Sequence, residues 1–250
     1  MSKIVVIGDI HGRAIWKKII DDNPDADKFI FLGDYFDSHE KKYHPTRQLY
    51  NFNDILNTQK ELGEDKIILL LGNHDYHYMN YMEKYSGYNQ ITYFNVHVPL
   101  MDAYNDGKIK IIHIEDNFLF SHAGVSKYWL DEISGVSDIM LINDPEIFDH
   151  RSLEWNAYVG YDNYGDTISN SPIWIRPYSL TNNKIDGYAQ IVGHTSIPED
   201  KMDENFYSMG EKYGVYLNDL LPHHYMIIEN NIVKYEKIEF NGGEEMEKSV

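Results

Sequence analysis

The chain has 250 residues, 42% hydrophobic and 25% charged, with a formal net charge of −18. That balance excludes a disordered, collagen-like or disulfide-stapled polypeptide, and the absence of cysteine excludes a thiolate metal site or a cysteine nucleophile. The acidity also argues against nucleic-acid or anionic-membrane binding, because no basic track supplies counterion release.

Any metal must sit on imidazole, carboxylate, amide or water, a donor set suited to Mn, Zn, Fe or Mg. No signal-like segment precedes Lys3, and the longest apolar run, Ile67 to Leu71, is far too short to span a bilayer. The expected location is the cytoplasm.

The β-branched run Lys3 to Ile7 predicts a buried strand. Ile15, Trp16, Ile19 and Ile20 follow at helical spacing. Asp27 to Leu32 predicts a second strand, Ser38 to Pro45 a polar loop and Thr46 to Leu62 a helix. Lys66 to Leu71 predicts a third strand. Strand, loop and helix thus recur three times, the pattern of a parallel α/β sheet. Met101 to Ile114 reads as a helix end, an Asp106-Gly107 turn and a strand, and Asn117 to Phe120 as another strand. Ser137 to Arg151 predicts a helix interrupted near Pro145, and the stretch from Gly160 to Ser171 a surface loop. Gln190 to Val192, Tyr225 to Glu229 and Ile232 to Lys237 predict strands. One domain over residues 1–240 is expected, followed by an acidic tail over 241–250.

Five predicted strands end in Gly or Ser followed by metal-competent or polar residues: Gly8-Asp9-Ile10-His11, Gly33-Asp34, Gly72-Asn73-His74, Ser121-His122 and Gly193-His194. In open α/β folds the ligand crevice lies beyond the carboxyl ends of the strands. Asp9, His11, Asp34, Asn73, His122 and His194 would then share one crevice. Three imidazoles, two carboxylates and an amide are too many for one tetrahedral zinc but enough for two metals sharing a carboxylate. Two such cations lower the pKa of a bridging water and clamp an in-line displacement at phosphorus.

These motifs, with Asp34-Tyr35-Phe36-Asp37, Asn73-His74-Asp75, His122-Ala123-Gly124 and His194-Thr195, resemble those of calcineurin-like metallophosphoesterases. Their order is most similar to the phosphoprotein-phosphatase branch, in particular its bacterial and bacteriophage members. The resemblance runs from Ile4 to Thr195. It implies a two-sheet β-sandwich flanked by helices and a dinuclear centre, with Mn first and Fe, Zn or Ni as alternatives. Asp9 and His11 would hold the first metal, Asp34 would bridge, and Asn73, His122 and His194 would hold the second. His74 would be the general acid, oriented by Asp37, with Asp75 structural. The implied reaction is direct attack of a metal-bound hydroxide on a phosphomonoester. A phosphoserine or phosphothreonine protein is the expected substrate. Alternatives are small phosphate esters or a dinucleoside polyphosphate, and, from other classes, a nucleic-acid phosphodiesterase or a non-catalytic scaffold. The scaffold is disfavoured because no ligand position is lost.

One departure stands out. The branch carries Asp-Arg-Gly where this chain has Asp37-Ser38-His39. The missing arginine would grip phosphate with its planar fork; Arg13, Lys41, Lys42 and Arg47 are nearby cations that could replace it. Pro172-Ile173-Trp174-Ile175-Arg176-Pro177 resembles the Trp-x-Arg segment of bacterial relatives, so Arg176 is the implied phosphate clamp. His77 is expected on a helix surface, and the stretch from His39 to His44 in a loop rather than a helical zinc motif.

Overall fold

The computed structural model describes residues 2–80, 84–156, 166–202 and 204–240; the expected acidic tail lies outside the described residues. The first sheet is built from β1 (Lys3–Ile7), β2 (Lys28–Phe31), β3 (Ile67–Leu70) and β4 (Ile109–Lys110), all parallel. The second starts with β5 (Ile112–Glu115) antiparallel to β6 (Phe118–Ser121), followed in parallel by β7 (Ala189–Ser196) and β8 (Val215–Asp219). The chain then returns to the first sheet as β9 (His224–Glu229), antiparallel to β1, and β10 (Ile232–Lys237) at its edge.

The two faces of each central strand serve different cores, as the period of two in a strand requires. Ile4, Val6, Ile30, Leu32, Ile68 and Leu70 meet Phe118, Phe120 and Ile191 of the second sheet. The alternate residues, Val5, Ile7, Phe29, Phe31, Ile67 and Leu69, pack under helices. Burial on both faces explains why these strands read as unbroken apolar runs. The architecture is therefore the two-sheet sandwich flanked by helices.

The helices follow their apolar stripes. α1 (Ile15–Asp22) buries Trp16 and Ile19, and Trp16 Nε1 donates to Asn51 Oδ1 at 3.0 Å on α2 (Pro45–Leu62). Pro45 opens α2, where a missing N–H costs nothing. α3 (Asn73–Met79) starts directly at the end of β3, and α4 (Tyr93–Asn105) covers it. α5 (Lys127–Glu132), α6 (Pro177–Asn183) and α7 (Glu204–Tyr213) complete the helical layer.

One helix expectation and one surface-loop expectation fail. Ser137 to Arg151 is not one interrupted helix but two short 3₁₀ turns, Ile139–Asn143 and His150–Leu153. Asp138 and Asp149 each accept the backbone N–H two residues on, at 2.9 and 3.0 Å, and offer the backbone a rival to the helix. Asn143 also ties the segment to the sheet through the amides of Ile111 and Ile112 at 2.9 and 3.1 Å. The expected surface loop over Gly160 to Ser171 lies partly outside the described residues. Its remainder is largely buried, with Thr167, Ser169, Asn170 and Ser171 inside. Short hydroxyl and amide side chains make that burial tolerable by bonding to the backbone of Leu153 and Asn156.

Among the described residues, no helix is long and apolar enough to cross a membrane.

Candidate active site

The ends of β1, β2, β3 and β7 open on one cavity of about 630 Å³, lined by Asp9, His11, Asp34, Asn73, His74, Arg176 and His194. His122, at the end of β6, is fully buried and reaches the same place from beneath, with Nε2 2.8 Å from Asn73 Oδ1. Asp37 lines the neighbouring cavity and reaches this one through the His74 ring, so every residue predicted for the site is brought together.

His11 Nδ1 donates to the Phe36 carbonyl and His122 Nδ1 to the Leu32 carbonyl, both at 2.8 Å. Each bond fixes the ring and leaves the Nε2 lone pair facing inward, the usual outer support of a metal-binding imidazole. Asp34 Oδ2 lies between those two nitrogens, 3.7 Å from His11 Nε2 and 3.4 Å from His122 Nε2. Its other oxygen accepts the His74 amide at 2.9 Å. Asn73 Oδ1 is also 2.9 Å from His194 Nδ1. Atoms sharing a cation through bonds of about 2.1 Å stand roughly 3.0–3.4 Å apart; the Asp34–His122 spacing lies in that range, the two Asn73–histidine spacings just below it and the Asp34–His11 spacing just above it.

Backbone geometry is unusual here. Among the described residues seven non-glycines have positive φ, and four belong to the site: His11 (45°), Asp34 (52°), Asp37 (60°) and His194 (61°). Such strain collects at functional sites. For His194 it accompanies an irregular register between β7 and β8, from Val192 to Ser196, which re-aims the strand. Glycine is required at two neighbouring positions: a Cβ at Gly72 would strike the Asp34 carboxylate, and one at Gly193 would strike Asp9.

Burial pushes the His11 pKa down to about 4 and lowers those of His122 and His194 as well. All three are therefore neutral, the ligand-competent form. Burial, with Asp219 and Asp34 nearby, raises Asp9. His194 turns Nδ1, not Nε2, toward Asn73 Oδ1. Crowded buried carboxylates and imidazole lone pairs turned to one place fit divalent cations, which neutralise the former and engage the latter.

His74 differs. Burial works against its charge, but Asp34 and the Asp37 carboxylate outweigh it and hold its pKa at about 9. His74 Nδ1 lies 3.1 Å from Asp37 Oδ2. His77 corrects the sequence expectation: it is fully buried, not on a helix surface, with Nε2 2.5 Å from the same oxygen. The seven-residue α3 is enclosed, and all its residues except His74 are buried.

Two clusters of metal-competent side chains stand out among the described residues: Asp9-His11-Asp34 and Asp37-His74-His77. The second is better explained by hydrogen bonding. Asp37 Oδ1 accepts the Tyr78 hydroxyl at 2.8 Å, and His77 Nδ1 accepts the Tyr85 amide at 3.2 Å, so in the neutral His77 ring the proton rests on Nε2, facing Asp37. Asp75 accepts the amides of Asp34, Tyr35 and Gly72 at 2.8–2.9 Å and so braces the strand ends.

Arg176 lines the cavity, and one guanidinium nitrogen donates to the His194 carbonyl at 3.0 Å and Thr195 Oγ1 at 3.1 Å. None of the four cations considered for the missing arginine lines this cavity. Arg13 and Lys42 pair with Glu40, Arg47 lies over the Tyr43 ring, and Lys41 lines a neighbouring cavity. The side chain that stands there is His39, 6.3 Å from the His74 ring and 6.4 Å from the His11 ring. Sequence reasoning also missed Asp219, whose pKa burial and Asp34 raise to about 6. Its signal was present: Asn218-Asp219 closes β8 just as the other polar pairs close their strands.

A two-sheet sandwich with histidines, carboxylates and an amide at its strand ends defines a metallophosphoesterase. The model of the calcineurin-like phosphoesterase family matches residues 2–198, and the chain belongs to that family. It is a metal-dependent phosphoester hydrolase. No curated protein sequence matches it. Among solved structures it is similar to a point mutant of a cold-active protein tyrosine phosphatase, with TM-score 0.58 and 17% identity over 96% of this chain and 81% of that one. The cold-active protein tyrosine phosphatase of a psychrophilic Shewanella species gives 0.53 and 17% over 96% and 81%. A protein serine/threonine phosphatase from Saccharomyces cerevisiae gives 0.51 and 14% over 97% and 82%. At these identities the likeness is one of fold.

Proposed function

We propose that the chain is a dinuclear phosphomonoesterase acting on phosphorylated proteins or small phosphate esters. Asp9 and His11 would hold one cation, Asn73, His122 and His194 the other, and Asp34 would serve both. The observation that carries this reading is the position of Asp34 Oδ2 between His11 Nε2 and His122 Nε2, at 3.7 and 3.4 Å. Manganese is the first choice of metal for this oxygen and nitrogen set.

When bound, two cations supply water of lowered pKa and neutralise phosphoryl charge. The chain's own residues do the rest. His74, charged at neutral pH, gives its proton to the departing oxygen, and Asp37 keeps the ring charged and aimed. Arg176 has one nitrogen fixed on β7, and its remaining N–H groups are available to orient the phosphoryl oxygens. The phosphatases of similar fold support a phosphoprotein substrate.

The test is a panel of p-nitrophenyl phosphate, its bis ester, phosphopeptides and a dinucleoside polyphosphate, run with manganese, zinc, iron or nickel. The monoester and phosphopeptides are expected to be cleaved only with metal. A folded, metal-supplied protein that leaves all of them intact ends this reading.

A further inference from the structure

Part of the cavity wall is aromatic and takes no part in the steps above. Trp174 stands edge-on to His194, with centroids 5.9 Å apart at 90°. Tyr85 and Trp155 pack edgewise on Trp174 at 4.4 and 5.1 Å. All three line the catalytic cavity. Trp174 is buried, but Trp155 is 38% exposed.

Trp155 is nevertheless held in place through both chain neighbours. The Glu154 carboxylate accepts Asn80 Nδ2 at 2.8 Å. The Asn156 amide donates to Asn170 Oδ1 at 3.0 Å, and its carbonyl accepts the hydroxyls of Thr167 and Ser169 at 3.2 and 2.9 Å. An exposed indole on a pinned backbone is a preorganised contact surface. It leaves apolar area in water beside an otherwise polar cavity, and a flat ring laid against it recovers that area. A seryl or threonyl carbon next to the ester oxygen is too small to cover the indole. A ring joined directly to that oxygen presents a flat apolar face on the scale of the indole.

We propose that Trp155, backed by Trp174 and Tyr85, receives the ring of an aryl phosphomonoester, so that aryl esters are preferred over alkyl esters. This deepens the phosphomonoesterase reading and rests on it. Water adds to phosphorus, the bond from phosphorus to the phenolic oxygen breaks, and His74 protonates that oxygen, leaving a phenol and inorganic phosphate.

The experiment compares the manganese-loaded protein with its Trp155→Ala and Trp155→Phe variants. Substrates are phenyl phosphate, glycerol phosphate, and phosphotyrosyl and phosphoseryl peptides of one sequence. Trp155→Ala is expected to lower kcat/KM about tenfold for the aryl esters, and less than about twofold for the alkyl esters, with Trp155→Phe restoring most of the loss. The acidity of phenols favours aryl esters in every variant, so the change in the ratio is the reading. Loss with the phosphotyrosyl peptide marks a protein substrate; loss with phenyl phosphate alone marks a small one. Equal losses, or none, alongside metal-dependent turnover overturn the aryl preference and leave the phosphomonoesterase reading standing. If no ester is cleaved, that reading falls, and calorimetric titration decides the aromatic contact alone. Phenylphosphonate binding about tenfold tighter than methylphosphonate, and only with Trp155 present, supports it; equal binding overturns it.

Discussion

The Tyr78 hydroxyl donates to Asp37 Oδ1 at 2.8 Å and also accepts the Asn89 amide at 3.0 Å, so the orienting carboxylate is held from the side away from His74. Tyr78 and Asp37 are only 2% and 4% exposed, and the hydrogen bond forms out of reach of bulk water. Removing one partner of such a bond leaves a charged acceptor short of a donor. Tyr78→Phe is therefore expected to cost about 1–3 kcal/mol of stability and to lower turnover of poor leaving groups more than of nitrophenyl phosphate. Urea unfolding and a leaving-group series check both, and a variant indistinguishable from wild type in each would remove Tyr78 from the network.

Asp34→Asn keeps the shape of the side chain but removes the shared negative charge. The hydrogen bond from the His74 amide survives on the amide oxygen, so the fold is expected to persist. Activity should fall by roughly 10³-fold or more, with metal content dropping below two per chain. Elemental analysis beside a turnover assay checks this; full turnover with two metals retained would refute the bridging role.

The pH dependence of the metal-free protein follows from His74. Its folded pKa of about 9 lies above the ordinary 6.5, so its charge contributes stability that is fully present below 6.5 and lost as pH rises through 9. His11, near 4, changes charge outside that window. The urea midpoint should decline between those two pH values in the wild type and stay flatter in His74→Asn. Parallel profiles would show that His74 does not carry the charge.

Arg176→Ala should raise KM or lower kcat for phosphomonoesters by about ten- to a hundredfold, since a charge-assisted contact to phosphate is worth roughly 1.5–3 kcal/mol. Unchanged kinetics would move phosphate binding to another group lining the cavity, His39 first.

Much of the site was legible because strand ends in this fold class write their chemistry locally. Gly72-Asn73-His74 and Gly193-His194 announce a turn and a donor together, and the apolar runs before them announce a strand. His77 was misjudged because helical spacing does not reveal that α3 is enclosed on every side. The acceptor that justifies its burial, Asp37, lies 40 residues earlier in sequence. Trp155 was missed for a related reason. Its role arises where a buried polar loop comes to rest, and no short-range pattern in its own segment encodes that meeting. Asp219 was legible, since Asn218-Asp219 closes β8 as the other polar pairs close their strands. The aspartates around Pro145 misled in the opposite sense: apolar spacing suggested a helix, while side-chain acceptors claimed the backbone first.

The left-handed backbone at His11, Asp34, Asp37 and His194 has a cost of its own, on the order of 1–3 kcal/mol at each position. Glycine would relax these four turns while deleting the groups that do the chemistry. A search for hardier versions of this enzyme would thus find tempting gains in melting temperature where they are least useful, and a heat-selected library should be screened for turnover in the same round.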